Sequence, residues 1–196
     1  MYAVLAVALF FDFAPTCLSN GKLRACGYQC VRDGKKVICT QTPDGFCQTG
    51  GGHGACWDPS ADVSFMLRDS DVERPQCMAS LREIACGFHC IKHVDGRVRC
   101  SQTPVGVCHS NQQAIGCWDP SEAVRVRMIQ SQQIVSAQCT SLLDHIECGY
   151  HCTAVGSNFA CSMTPWGDCQ THFTEVACWD PPMSYPQYPN QQTSYP

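Results

Sequence analysis

Cys86-Gly87-Phe88-His89-Cys90 is followed by Cys100, then by Thr103-Pro104-Val105-Gly106-Val107-Cys108, and the stretch closes on Cys117-Trp118-Asp119-Pro120. The same order stands upstream, with Cys26-Gly27-Tyr28-Gln29-Cys30, Thr42-Pro43-Asp44-Gly45-Phe46-Cys47 and Cys56-Trp57-Asp58-Pro59. It returns downstream as Cys148-Gly149-Tyr150-His151-Cys152, Thr164-Pro165-Trp166-Gly167-Asp168-Cys169 and Cys178-Trp179-Asp180-Pro181. Each copy also has a leading cysteine (Cys17, Cys77, Cys139) and a fourth one (Cys39, Cys100, Cys161). The spacing is C-x8-C-x3-C-x8-C-x7-C-x8-C, with one residue more in the third gap of the middle copy. Self-similarity at a fixed period defines a repeat architecture. The chain is three copies of one six-cysteine unit.

Working outward, 18 of 196 residues are cysteine. A reducing cytosol would keep so many thiols open, so the density places the chain in an oxidising, extracytoplasmic compartment. Only 15% of residues are charged and the net charge is −4. No basic stripe for phosphates exists, and nucleic acid is not an expected partner. The apolar N-terminal run of residues 1–11 is too short for a membrane-spanning helix, which needs about 20 residues. It has the length of a signal-peptide core, although no Lys or Arg precedes it. Residues 1–16 are therefore read as an export signal, or else as a hydrophobic N-terminal segment.

Within each copy three cysteine pairs bracket short segments, several with Asn20-Gly21, Asp33-Gly34, Gly50-Gly51-Gly52 or Asp95-Gly96 near the middle. Asn-Gly and Asp-Gly favour the positive backbone angles of tight hairpin turns. If such a loop is four residues long, its flanking cysteines face each other on paired strands. Spacing leaves 15 pairings open per copy; since every copy holds a full set, bonds are expected only within copies. Residues 78–85 and 140–147 lack a central glycine and could instead be helical turns. A unit of some 40 residues cannot bury enough surface to fold unaided. Closing an eight-residue loop with a disulfide contributes on the order of 2 to 3 kcal/mol.

After Trp-Asp-Pro, the segments at 60–67 and 121–128 alternate apolar and polar residues, the pattern of a half-buried connecting strand. The predicted fold class is small all-β and disulfide-rich, with three tandem six-cysteine modules of short antiparallel hairpins joined by connecting strands. The modules are residues 17–60, 77–121 and 139–182. Residues 61–76 and 122–138 are connecting strands and linkers. Residues 183–196, an uncharged Pro/Tyr/Gln tail, are expected to be disordered.

The CGY-x-C, TP-x-G-x-C and CWDP elements together resemble cysteine-rich repeats of uncharacterised secreted bacterial proteins, particularly those of myxobacteria and their relatives. The resemblance covers residues 17–181. It implies export and a repeat fold, and carries over no functional residue. The first copy has Gln29 where the others have histidine, and the third contains no Lys or Arg.

Catalysis needs a nucleophile with a base, or paired carboxylates, assembled on a rigid frame. Here the candidates are repeated turn residues: Asp58, Asp119 and Asp180 precede proline, which is ordinary turn chemistry. No catalytic residue, cofactor or metal site is expected, and the chain is read as a non-enzyme. Zinc is the weighed rival, since seven histidines accompany the cysteines. No C-x2-C pair occurs, and His89, His93 and His151 lie beside cysteines without a ligand spacing. Trp57, Trp118 and Trp179 carry two readings, a ring stacked on a disulfide in a small core or an exposed platform for a sugar or a partner protein. Charge is polarised along the chain: residues 17–60 carry five Lys/Arg against three acids, and residues 139–183 carry five acids and no Lys/Arg. That polarity suits head-to-tail contacts between molecules. The expected function is a secreted structural or interaction protein of the cell envelope or extracellular matrix, with an unknown protein or glycan partner. The alternatives are a glycan-binding or protease-inhibitor-like module, and a zinc-binding assembly.

Overall fold

In the computed structural model, residues 14–142 and 145–183 are described. The proposed export signal, apart from residues 14–16, and the tail beyond Met183 lie outside them. Copy 1 holds six strands, β1 (Thr16–Asn20), β2 (Leu23–Gly27), β3 (Cys30–Asp33), β4 (Lys36–Cys39), β5 (Phe46–Gly50) and β6 (His53–Trp57), followed by helix α1 (Ala61–Met66). Copy 2 holds β7 (Gln76–Ala79), β8 (Ile84–Lys92), β9 (Val98–Ser101), β10 (Val107–Ser110) and β11 (Ile115–Trp118), followed by α2 (Glu122–Ser131). Copy 3 holds β12 (Gln138–Leu142), β13 (His145–Val155), β14 (Asn158–Ser162), β15 (Asp168–His172) and β16 (Glu175–Trp179). Every described sheet is antiparallel and made of sequence neighbours. The fold is small, all-β and disulfide-rich.

Each copy is three hairpins, and each hairpin is closed by its own disulfide. The bonds are Cys17–Cys26, Cys30–Cys39 and Cys47–Cys56, then Cys77–Cys86, Cys90–Cys100 and Cys108–Cys117, then Cys139–Cys148, Cys152–Cys161 and Cys169–Cys178. Register explains the pairing: Cys17 stands opposite Cys26, and Cys47 opposite Cys56, as cross-strand neighbours. At the β1–β2 turn Gly21 has φ of 62°, the left-handed angle that the sequence Asn-Gly supplies. Residues 78–85 form a hairpin without glycine. There Ser80 Oγ accepts from the backbone N–H of Arg82 and of Glu83, both at 3.1 Å, so a side chain does the turn's work.

In copies 2 and 3 the first and second hairpins share one long strand, β8 or β13, broken by register shifts after Phe88 and Tyr150. His89 and His151 occupy those shifts at φ of 47° and 48°. The glycine of CG-x-x-C has a steric cause: a Cβ on Gly87 would stand 2.2 Å from the Ser101 carbonyl oxygen. The corresponding gaps are 2.1 Å at Gly27 and 2.4 Å at Gly149.

The connecting segments are helices, not the strands expected from their alternation. The apolar residues that look alternating also fall at helical spacing, so that Val63, Met66 and Leu67, and Val124 and Met128, turn inward together. Ser60 and Ser121 are the N-caps, with Asp62 and Glu122 in the first turns, and Ser121 Oγ accepts from Val124 N–H. These helices close two small cores. One contains Trp57, Val63, Leu67, Cys86 and Phe88; the other contains Val124, Met128 and Tyr150 with Trp118, Trp166 and Met183 against it. Both cores lie between copies.

Candidate functional site: the repeat-to-repeat faces

In each copy the TP-x-G turn and the residue or residues before it are tied to the aspartate of CWDP. In copy 2, Asp119 Oδ1 accepts from Ser101 Oγ at 2.6 Å, Thr103 Oγ1 at 2.7 Å and Thr103 N–H at 2.9 Å, while Gln102 N–H reaches Oδ2 at 2.9 Å. Asp180 repeats this with Ser162 Oγ at 2.6 Å and Thr164 N–H and Oγ1 both at 2.9 Å. Asp58 accepts from Gln41 N–H at 2.8 Å, Thr42 N–H at 2.9 Å and Thr42 Oγ1 at 3.0 Å. The glycine of TP-x-G makes room, since a Cβ on Gly106 would lie 2.1 Å from Ser101 Oγ and 2.2 Å from Asp119 Oδ1. Burial pushes the Asp180 carboxyl upward, but the donors from Ser162, Met163 and Thr164 outweigh it and hold its pKa below the ordinary range. The Trp-Asp-Pro aspartate is thus a latch that ties the third hairpin to the turn after the second.

The latch orients the tryptophan before it. Trp57 meets Phe88 of the next copy edge-on at 5.3 Å between centroids, and Trp118 meets Tyr150 in the same way at 5.5 Å. The aromatic residue of CG-Φ-x-C is therefore the socket for the preceding copy's tryptophan. Phe88 and Tyr150 are fully buried, and burial pushes the Tyr150 phenol well above its usual pKa. The third hairpin of each copy lies on the first hairpin of the next, β5–β6 on β7–β8 and β10–β11 on β12–β13. Across the first joint a Cβ on Gly50 would stand 2.6 Å from Ala79 Cβ and 3.6 Å from the Ile84 side chain. Across the second, His109 Nε2 lies 3.1 Å from Ser141 Oγ. A buried ion pair between Asp62 and Arg125 joins the two helices.

Among the described residues no further copy packs on the third hairpin of copy 3, and Trp179 is 62% exposed against 3% for Trp57. The tryptophans of the three CWDP motifs therefore divide: Trp57 is core, Trp118 is half-buried against the second core, and Trp179 is surface. Sequence identity among the three CWDP motifs hides that division.

The histidines take separate structural places. His93 is buried between Asp95, with Nδ1 to Oδ1 at 2.9 Å, and the Asn111 carbonyl oxygen, 3.1 Å from Nε2. His89 Nε2 lies 3.1 Å from Glu73 Oε2, and His151 Nε2 lies 3.1 Å from the Pro165 carbonyl oxygen. Among the described residues no three His, Cys, Asp or Glu side chains converge as a metal group. A groove of about 510 Å³ between the helices is lined by Phe65, Ile129 and Ile134 with Asp69, Asp71 and Glu73 on its rim.

Comparison with protein-family models, with curated proteins and with solved structures gives no match. Nine disulfides fit an extracellular or otherwise oxidising environment. No described helix is long and apolar enough to cross a membrane. The architecture is compatible with an extracellular structural or binding module.

Proposed function

We propose that the chain is a secreted, non-enzymatic structural or interaction protein of the cell envelope or extracellular matrix. The observation that carries this reading is how the repeated polar chemistry is used. The three aspartates that recur with the motifs are each occupied by donors from their own copy's turn. All 18 cysteines are in disulfides. Asp119 and Asp180 accept at both carboxylate oxygens, and Asp58 accepts three bonds at Oδ1. A carboxylate whose lone pairs are so engaged is a poor general base. The resemblance to secreted bacterial cysteine-rich repeats agrees with export. The test is recovery of the native protein by cell fractionation, followed by alkylation under denaturing, non-reducing conditions. The expected result is an extracytoplasmic protein that takes up no alkyl group. Several labelled cysteines on a cytosolic protein would overturn the reading and revive the zinc alternative.

A glycan-binding role rests on the one tryptophan that is open, Trp179, beside Asp168 and Gln170. A glycan array separates it, since Trp179→Ala would then abolish a signal that Trp57→Ala reduces only through unfolding.

A further inference from the structure

The two ends of the repeat stack are the two halves of the joint that holds its middle together. At each internal joint the donor is one face of a third hairpin and the acceptor is one face of a first hairpin. Alternation along β15 and β16 puts Asp168, Gln170, His172, Glu175, Ala177 and Trp179 on the donor face of the last hairpin, and all six are exposed. Alternation along β1 and β2 puts Cys17, Ser19, Arg24 and Cys26 on the acceptor face of the first hairpin, all four exposed, with Tyr28 half-buried at the socket position. Their counterparts in copy 2, Cys86 and Phe88, are buried by Trp57 and its helix.

Charge distinguishes these end faces from the internal ones. The third hairpins that are covered, residues 46–57 and 107–118, contain no Asp, Glu, Lys or Arg. The uncovered one, residues 168–179, has Asp168 and Glu175 and no Lys or Arg. The uncovered first hairpin, residues 16–27, has Lys22 and Arg24 and no acid. Arg24 occupies the place of Ile84, which faces Gly50 across the first joint. Gly50 pairs with His53, and the corresponding rung of the last hairpin is His172 with Glu175. An acidic face with an exposed tryptophan and a basic face with a tryptophan socket thus lie at opposite ends of one chain.

We infer that the partner of this protein is a second copy of itself, with the Trp179 hairpin of one molecule docked on the Tyr28 hairpin of the next. This names the partner within the structural role proposed above and rests on that reading. The contact is heterologous, so it generates an open file of molecules rather than a closed dimer. It continues the chain's own repeat stack, in which each unit contacts only its neighbours. Where α1 and α2 clamp the internal joints, the last copy continues into Pro181-Pro182, so the intermolecular joint is weaker and reversible. Opposite charges at its rim make it sensitive to salt.

The experiment is sedimentation of the full oxidised chain over a range of concentrations, at low salt and at about 1 M salt, where charges are screened within roughly 3 Å. Wild type should form concentration-dependent oligomers without a fixed size, and salt should shift them toward monomer. Trp179→Ala removes the plug and Arg24→Glu spoils the socket; each should weaken association by roughly tenfold or more. Both positions are exposed, and unchanged melting will show that each variant folds. Mixed in equal amounts, the two variants should stop at a heterodimer, since one good plug and one good socket remain. Adding Glu175→Arg to Arg24→Glu should restore self-association. A wild type that stays monomeric overturns the inference, as do variants that assemble like wild type. Monomers freed to associate only after residues 1–13 or 184–196 are removed also overturn it, by showing that the chain's own ends cover the faces. A monomer recovered outside the cytoplasm with every cysteine oxidised would leave the structural reading standing, whereas a reduced cytosolic protein would remove it.

Discussion

The first joint and the free end of the stack carry the same tetrapeptide, Cys-Trp-Asp-Pro, and the same aspartate latch, yet one tryptophan is buried and the other open. Trp57 sits in a core with Phe46 behind it, Phe88 in front and Val63 and Leu67 of α1 above. Trp179 has the latch, but among the described residues neither a helix nor a socket follows it. Local sequence sets the orientation of the ring, and the next copy sets its burial. In a repeat protein the stability of a motif is thus partly a property of its neighbour.

The largest expected effect tests that contrast directly. Truncating Trp57 to alanine should cost about 3–5 kcal/mol, as for a buried tryptophan. Trp179→Ala should change stability by less than about 0.5 kcal/mol, the usual range for a surface substitution. Trp118, half-buried against Tyr150, should fall between them. Denaturant titrations of the three variants at low protein concentration give the order. Equal losses at Trp57 and Trp179 would break the comparison.

A second expectation concerns what couples the joints. Asp62 and Arg125 are largely buried, and the burial that pushes the Asp62 carboxyl upward is outweighed by the hydrogen bond from Arg125, which leaves its pKa lowered. Asp62→Ala leaves Arg125 buried without its carboxylate and should cost about 3–5 kcal/mol, while replacing both residues by apolar ones should recover much of the loss. Proteolysis within both helices of the single variant is the measurement. Cleavage confined to α1 would show that the two joints fold independently.

Smaller effects separate close contact from mere presence of glycine. Gly106→Ala drives a methyl into Ser101 and Asp119 and should destabilise copy 2 by about 1–3 kcal/mol. Gly116, in the same copy, has open space where a Cβ would go. Gly116→Ala should therefore be neutral or slightly stabilising, by up to about 1 kcal/mol. Thermal melts of the pair decide it, and similar losses would mean that the aspartate latch is not what Gly106 protects.

The sequence is most legible where structure is local. Cysteine spacing and the Asn20-Gly21 and Asp33-Gly34 turns announce hairpins, because turn geometry is written in the turn residues themselves. Residues 60–67 and 121–128 misled because a short run with apolar residues at 63, 65 and 67 satisfies two periods at once, and only the Ser-x-Asp and Ser-Glu starts favour the helix. The aspartate latch was hidden for another reason. Asp-Pro is common turn chemistry, and nothing local to Asp119 says that its oxygens reach Thr103, sixteen residues upstream. The exposure of Trp179 follows only once the order of stacking is known.

The smallest expected effect is a pH dependence at the free end. The Asp180 carboxylate accepts from Ser162, Met163 and Thr164, and these donors hold its pKa below the ordinary 3.8 although burial acts against them. A group whose folded pKa is depressed stabilises the fold fully above its unfolded value and loses that contribution as pH falls through the folded value. The third copy should therefore hold its latch at neutral pH and begin to lose it only below about pH 4. Asp180→Asn removes the charge but keeps an acceptor, so it should melt lower than the parent near neutral pH. The gap should close as both are acidified, because the protonated aspartic acid and the asparagine are then alike in charge. Trp179 fluorescence, read beside the latch that orients it, reports the transition. A melting difference that stays constant down to strong acid would mean that the Asp180 latch holds by shape alone, and the contrast between the joint and the free end would then rest on packing without any contribution from charge.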